Sequence, residues 1–229
     1  MKYKAVIFDL FGTLVPSFTE REYRQILGQM AEILEVPPPA FEAAWSETFS
    51  ESILGVIPGI AEKIILTGRR MGREFVKDKV AAAADLMAGY SARCMQPRLG
   101  APEVLSQIRR KGLKIGLVSD CAPDAPELWK KTVLAPLVDV TVFSCLVGLR
   151  KPDPRIYRLA IRQLAVDPAE CLYVGDGASR ELTGALEVGL RPIQLYIASE
   201  KDAFRVEAES WDGKIITSLS EVLDLLEGP

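Results

Sequence analysis

The chain has 229 residues, of which 48% are hydrophobic and 26% charged, and its formal net charge is −3. This length suits one large globular domain or a core domain with an insertion, and it allows a sizeable buried core. The slightly acidic balance argues against nucleic acid as a partner, and the lack of a long apolar run argues against a membrane span. Asp9 interrupts the first apolar run, so no signal peptide is expected.

The chain contains no histidine, and its four cysteines lie far apart without a CxxC motif. Catalytic triads and metal sites that depend on histidine are therefore excluded. Proton transfer and metal binding fall largely to carboxylates, lysine, tyrosine or cysteine, and any bound metal is expected to be a hard cation with oxygen ligands. Because reduced thiols are typical of the cytosol, we predict a cytoplasmic location.

The first apolar run, Ala5 to Phe8, is typical of a buried parallel strand, and Asp9 follows it directly. Gly12 then allows a tight turn and a close approach of the backbone to a bound group. Since open α/β sheets bind ligands at the carboxyl ends of their strands, Asp9 is a candidate functional residue.

Residues 16–95 have the apolar spacing of helices, and Thr19 with Glu22 forms a capping-box signature at the start. We predict four helices there, the last over about 75–90, and no chemistry is assigned to them. This block is expected to close over the strand ends as a lid, with hinges near Val15-Pro16 and Pro97 to Gly100.

From residue 101 onward, helical and strand patterns alternate, which predicts a parallel α/β sheet. Residues 198–213 give no clear pattern. The predicted strands cover residues 114–118, 140–144, 171–174, 192–196 and 214–217. The predicted helices cover residues 101–111, 125–134 and 154–164, a segment after Gly177 that ends near Val188, and residues 218–226.

Polar residues stand where the strands end, and a parallel sheet brings these ends to one edge. They are Asp9, Ser119, Lys151 in the loop after the third strand, and Asp176. Two carboxylates on adjacent strands repel each other unless a cation lies between them, and Mg²⁺ prefers few carboxylates together with a substrate phosphate. Lys151 and Ser119 suit phosphate oxygens. No complete dinucleotide or P-loop motif competes with this interpretation.

The series Asp9-x-x-Gly12-Thr13, strand-Ser119, Lys151-Pro152 and Gly175-Asp176 resembles the four motifs of the haloacid dehalogenase superfamily. The resemblance covers the whole chain. It implies a Rossmann-like parallel-sheet core built from residues 1–15 and 96–229, with residues 16–95 as an inserted helical cap of the C1 type.

The resemblance also implies roles for single residues. Asp9 would be the nucleophile that takes the phosphoryl group, assisted by Ser119 and Lys151. The implied substrate-binding residues are Gly12, Thr13, Ser119, Asp120 and Lys151. The implied Mg²⁺ site comprises Asp9, the backbone carbonyl of Phe11, Asp176 and Glu181, the last of which would orient metal-bound water.

The implied function is that of a Mg²⁺-dependent phosphatase that acts on a small phosphorylated metabolite. The family's phosphatases carry a proton-transferring aspartate where this chain has Phe11, so a slow phosphate-binding or regulatory protein is one alternative. Asp120, which stands where Asn is common, is either a substitute acid or a turn former. A 2-haloacid dehalogenase is the other alternative, although no Lys or Arg lies between Arg24 and Lys63 to match its early cap arginine. The sequence makes no prediction of oligomeric state.

Overall fold

The computed structural model describes residues 2–227 and contains one sheet of six parallel strands. The strands are β1 (Ala5–Phe8), β2 (Lys114–Ser119), β3 (Val140–Phe143), β4 (Cys171–Gly175), β5 (Arg191–Leu195) and β6 (Ile215–Ile216). Their order in the sheet is β3-β2-β1-β4-β5-β6, and every neighbouring pair is parallel. The predicted α/β class with a Rossmann-like parallel sheet is confirmed.

Eleven α-helices occur in the described part of the chain. They are α1 (Glu20–Ile33), α2 (Pro38–Glu47), α3 (Phe49–Ile53), α4 (Ile60–Arg70), α5 (Lys77–Cys94), α6 (Ala101–Arg110), α7 (Ala125–Trp129), α8 (Ser144–Val147), α9 (Pro154–Leu164), α10 (Glu181–Glu187) and α11 (Glu221–Glu227). None of the helices formed by residues 2–227 has both the length and the apolar character that a membrane crossing requires.

Strand β1 lies in the centre of the sheet, and all four of its side chains are fully buried. Val6 and Phe8 pack into the apolar cluster on one face, together with residues of α6 and α11. Ala5 and Ile7 pack into the cluster on the other face, with residues of α9 and α10. A strand covered on both faces reads as a continuous apolar run, which is why the sequence predicts it well.

The helices between β1 and α6 have an apolar cluster of their own, formed mainly by α1, α2, α4 and α5. The capping box at the start of α1 is confirmed: the Glu22 N–H donates to Thr19 Oγ1 at 3.1 Å, and the Thr19 N–H donates to Glu22 Oε2 at 2.9 Å. The domain boundaries at residues 15/16 and 95/96 stay a prediction.

Two predicted helices are shorter than expected, and a threonine lies at or shortly after the end of each. The second helix of the cap is split into α2 and α3 at Thr48, and the helix predicted over 125–134 ends at Trp129. In both places the threonine hydroxyl donates to the backbone carbonyl three residues earlier, at 2.6 Å from Thr48 and 2.8 Å from Thr132. These side chains compete with the regular helical hydrogen bonds, which periodicity alone does not reveal.

The helix predicted after Gly177 also differs from the expectation. It begins only at Glu181, because Ser179 and Arg180 adopt left-handed φ values of 54° and 49°. The predicted strand over 214–217 is reduced to Ile215–Ile216 at the sheet edge.

Candidate active site

Asp9 and Asp176 follow two strands that lie side by side in the centre of the sheet. Strand β1 pairs with β4, and the Asp9 N–H donates to the Val174 carbonyl at 2.9 Å. The strand order changes direction between β1 and β4, so this is the switch point at which open α/β sheets form their binding crevice. The two carboxylates are both buried there.

Lys151 links two of the buried carboxylates. Its Nζ lies 2.6 Å from Asp9 Oδ1 and 2.5 Å from Glu181 Oε2, and its side chain is almost fully buried. Burial by itself lowers the pKa of Lys151, but the two carboxylates outweigh it and hold that pKa well above its usual value. Lys151 is therefore a fixed positive charge at the end of β1.

The pKa of Asp9 is raised well above its usual value. Burial is the main cause, and the carboxylates of Glu181 and Asp176 act in the same direction while Lys151 opposes them. A cation placed beside Asp9 would favour the ionised form that a nucleophile requires.

Glu181 is held by contacts to both of its carboxylate oxygens. Tyr173 donates its hydroxyl to Oε2 at 2.8 Å, and the Gly177 N–H donates to Oε1 at 3.0 Å. A Cβ atom on Gly175 would lie 2.1 Å from Oε1, so the strand has to end in glycine for this carboxylate to fit. With Lys151 also on Oε2, Glu181 is better suited to orienting its neighbours than to binding a metal directly.

Asp176 has a cationic partner that the sequence did not suggest. Arg205 Nε donates to Asp176 Oδ2 at 2.7 Å, and the Ala178 N–H donates to Oδ1 at 3.0 Å. Burial, reinforced by Glu181, raises the pKa of Asp176 to about 6. Gly12 has a φ of +81°, and a Cβ there would lie 2.3 Å from Asp176 Oδ2, so the loop after β1 packs directly on this carboxylate.

Two of the predicted substrate-binding residues have buried hydroxyls. The side chains of Thr13 and Ser119 are fully buried, and neither hydroxyl has a hydrogen-bond partner among the described residues. Buried polar groups without a partner are uncommon, so each of these hydroxyls keeps a donor that a bound group could use. Asp120 instead accepts from the backbone N–H of Lys151 at 3.0 Å and so ties the loop after β2 to the lysine loop.

A cavity of about 440 Å³ lies between the strand ends and the helices of the cap. Asp9, Lys151 and Asp176 line it from the sheet side, and Phe11 also contributes to its wall. The helical block thus covers the edge that carries the candidate residues, as the sequence predicts.

The carboxylates of Asp9 and Asp176 in the wall of this cavity, with Glu181 close by, fit a hard divalent cation. Asp9, Asp176 and Glu181 each offer a carboxylate oxygen, and these oxygens lie within 4.8 Å of one another. Buried carboxylates this close require positive charge, which Lys151 and Arg205 supply only in part. Oxygen ligands of this kind suit Mg²⁺, provided that Arg205 shares or leaves Oδ2 of Asp176.

A family model described as haloacid dehalogenase-like hydrolase matches residues 3–189. The chain belongs to this family. The predicted family is therefore confirmed, and the protein is a hydrolase of the haloacid dehalogenase type.

Several relatives of this haloacid dehalogenase-like chain span nearly its full length. A glyceraldehyde 3-phosphate phosphatase from Pyrococcus furiosus is 24% identical and covers 99% of this chain and 94% of its own length. A second protein of that name, from Methanopyrus kandleri, is 28% identical over 87% of this chain and 86% of its own. The L-2-haloacid dehalogenase of Xanthobacter autotrophicus superposes with a TM-score of 0.64 at 19% identity, covering 99% of each chain, which shows the shared fold.

Sequence patterns missed several residues of this haloacid dehalogenase-like site. Tyr173 lies inside an apolar strand, where alternation gives no sign that its hydroxyl reaches Glu181. Arg98 donates to the carbonyls of Thr13 and Gly12 at 2.8 and 3.0 Å and thereby fixes the loop after β1. The only signal in the sequence is that Arg98 lies just before α6, in the segment predicted as a hinge.

Proposed function

We propose that the protein is a Mg²⁺-dependent phosphatase that acts on a small phosphorylated metabolite through an aspartyl phosphate on Asp9. The observation that carries this proposal is the contact of Lys151 with Asp9 at the switch point, beside a second strand-end carboxylate, Asp176. Phosphoryl transfer depends on positioning and charge neutralisation, which this arrangement supplies. The relatives named glyceraldehyde 3-phosphate phosphatase support a small phosphate ester as substrate.

In the proposed reaction, a carboxylate oxygen of Asp9 attacks phosphorus while the bond from phosphorus to the ester oxygen breaks. The leaving alkoxide takes up a proton from water. Lys151 neutralises charge on Asp9 and on the phosphoryl oxygens, and the hydroxyls of Ser119 and Thr13 donate to those oxygens. Water then attacks the aspartyl phosphate, which releases inorganic phosphate and restores Asp9.

The carboxylates of Asp9 and Asp176 and the backbone carbonyl of Phe11 would hold the Mg²⁺, with Glu181 orienting its water ligands. The ion would supply positive charge that lowers the repulsion between the nucleophile and the phosphate dianion. Gly12 and Asp120 would contribute to substrate binding by shaping the loops after β1 and β2. We further propose that residues 16–95 act as the cap that selects the substrate.

The cytoplasmic location stays a prediction that rests on the cysteines. Cys94, Cys121, Cys145 and Cys171 are all free thiols in the structure. Free thiols agree with a reducing compartment, where disulfides are rare.

A 2-haloacid dehalogenase is the second candidate, because an aromatic ring, Phe11, occupies the cavity wall where a phosphatase would carry an acid. Such an enzyme needs no metal by the family resemblance, whereas this chain retains Asp176 beside Asp9. A slow phosphate-binding protein would keep the same geometry but show little turnover.

Hydrolysis of a panel of phosphate esters and of 2-chloropropionate, with Mg²⁺ and with chelator, separates these candidates. We expect phosphate release that requires Mg²⁺ and is lost in Asp9→Asn, because an amide is a poor nucleophile. The control is Asp85→Asn, which makes the same change at an exposed position on α5. Phosphate release that persists in Asp9→Asn, or dehalogenation in chelator, would contradict the phosphatase proposal.

A further inference from the structure

Lys63 is a buried cation that the reaction at the strand ends does not use. It lies on α4 in the cap, its residue is only 7% exposed, and it lines the same cavity as Asp9 and Lys151. Its Nζ lies 4.0 Å from the centre of the Trp45 ring. Within the described residues, no carboxylate forms a salt bridge with it, and the salt bridges of the cap helices involve Arg24, Arg70 and Lys79 instead.

An unpaired charge in such a place is costly to the folded protein. Burial lowers the pKa of Lys63 to about 8, and the charge of Asp124 acts in the opposite direction. Most of the amine is therefore still protonated at neutral pH. The Trp45 ring offsets part of the cost through a cation–π contact, but it accepts no conventional hydrogen bond from the ammonium group.

The wall of the cavity around Lys63 is mostly apolar. Its cap side carries Tyr23, Phe49, Ile60 and Met87 together with several serines, and Asp124 lies in the same wall. Of the two lysines in this wall, Lys151 is already paired with carboxylates at the strand ends. Lys63 is thus a cation with unused donors on the cap side of a largely apolar chamber.

We propose that Lys63 binds a carboxylate on the part of the substrate remote from its phosphate, so that the substrate is a small phosphorylated carboxylic acid. This inference rests on the proposed phosphatase function. Charge balance favours a monoanion, because one carboxylate neutralises one ammonium group. A neutral hydroxyl would leave Lys63 uncompensated, and a second phosphate dianion would leave excess negative charge in an apolar wall.

The test measures how well two small phosphate esters compete with p-nitrophenyl phosphate in the presence of Mg²⁺. Glycerate 3-phosphate and glycerol 3-phosphate share a three-carbon frame and differ in a carboxylate against a hydroxyl. We expect the wild type to bind the carboxylate compound about tenfold to a hundredfold more tightly, the range for a hydrogen bond between charged groups. In Lys63→Met the two inhibition constants should become nearly equal, because neither compound then meets a cation at the cap end.

The matched control is Lys77→Met, since Lys77 is an exposed lysine on α5, and it should behave as the wild type. Lys63→Arg should keep a preference for the carboxylate compound. The inference is overturned if the wild type shows no preference, or if the preference survives in Lys63→Met. If p-nitrophenyl phosphate is not hydrolysed at all, the phosphatase proposal itself fails, which is a separate and recognisable outcome.

Discussion

Phe11 stands two residues after Asp9, on the cavity wall and packed against the apolar cluster on one face of the sheet. Its ring cannot transfer a proton. In the proposed reaction an alkoxide leaving group therefore receives no help from this position, and general acid catalysis is typically worth about 10²–10⁴-fold. The identity of this one side chain bears directly on the rate.

Phe11→Asp tests that account. The variant should speed the hydrolysis of an alkyl phosphate, whose leaving group needs a proton, by no more than about 10²–10⁴-fold. It should help p-nitrophenyl phosphate less, because that leaving group departs unaided. The measurement is the steady-state rate of the wild type and of Phe11→Asp on one alkyl phosphate and on p-nitrophenyl phosphate. A loss on both esters would refute the missing-acid account and direct attention to Asp120, Glu181 or the cap.

The burial of Lys63 also predicts an effect on the stability of the protein. A pKa lowered from its usual 10.5 to about 8 corresponds to a cost of roughly 3 kcal/mol at neutral pH. The cation–π contact with the Trp45 ring offsets about 1–2 kcal/mol of this cost. Lys63→Met should therefore raise the free energy of unfolding at pH 7 by about 1–2 kcal/mol. Such a gain at the expense of carboxylate binding is typical of a functional residue.

The pH dependence of that gain has a definite sign. Between pH 8 and 10.5 the unfolded chain holds the Lys63 proton more firmly than the folded one, so the wild type gains stability as the pH rises. The advantage of Lys63→Met in urea unfolding should shrink across this window. Asp124 is the charged group that contributes to the pKa of Lys63, and it raises that pKa. An advantage that stays constant from pH 7 to 10 would contradict the burial argument.

Among the elements, the segment of residues 198–209, here called the strap, connects the cap to the site. The Phe204 N–H donates to the Phe18 carbonyl at 2.8 Å, and the two rings stack with centroids 5.8 Å apart. Further along, the Val206 carbonyl accepts from the Ser179 N–H at 2.7 Å, beside the left-handed turn after Asp176. The strap therefore touches both the start of the cap and the loop after β4.

Arg205 extends from the strap to Asp176, where it occupies an oxygen that a Mg²⁺ ion would use. Arg205→Gln removes this competing charge, so we expect the variant to bind Mg²⁺ several-fold more tightly. Isothermal titration calorimetry with MgCl₂ measures the affinity without turnover. Arg155→Gln, which removes an exposed arginine paired with Asp153, is the control. Equal or weaker Mg²⁺ binding in Arg205→Gln would contradict the view that the arginine competes with the metal.

The strap also shows where sequence-based prediction of this chain fails. Central strands such as β1 were predicted because burial on both faces leaves a continuous apolar run. The strap has neither helical nor strand periodicity, and its contacts reach residues nearly 190 positions away, such as Phe18 from Phe204. The contact of Arg205 with Asp176 could therefore not be predicted. The ends of α2 and α7 could not be predicted either, because each depends on a single hydrogen bond from a threonine hydroxyl.

In the whole molecule, the sheet edge and the cap enclose one chamber whose two ends carry different charged groups. Carboxylates and Lys151 lie at the sheet end, and Lys63 over Trp45 lies at the cap end. The strand-end residues were predictable because a parallel sheet gathers them at one edge. The position of the Lys63 side chain in the cavity wall was not predictable, because the direction in which each cap side chain points depends on how four helices pack together.

The most direct test of the central claim is to look for the phosphoryl group on Asp9 during turnover. The protein is mixed with p-nitrophenyl phosphate and Mg²⁺, quenched in acid, and reduced with borohydride, which converts an aspartyl phosphate into homoserine. Mass spectrometry of the peptide that contains Asp9 then reads the product. We predict homoserine at position 9 with Mg²⁺ and none with chelator. Phosphate release without any modification of Asp9, or a modification at another residue, would contradict the proposed mechanism.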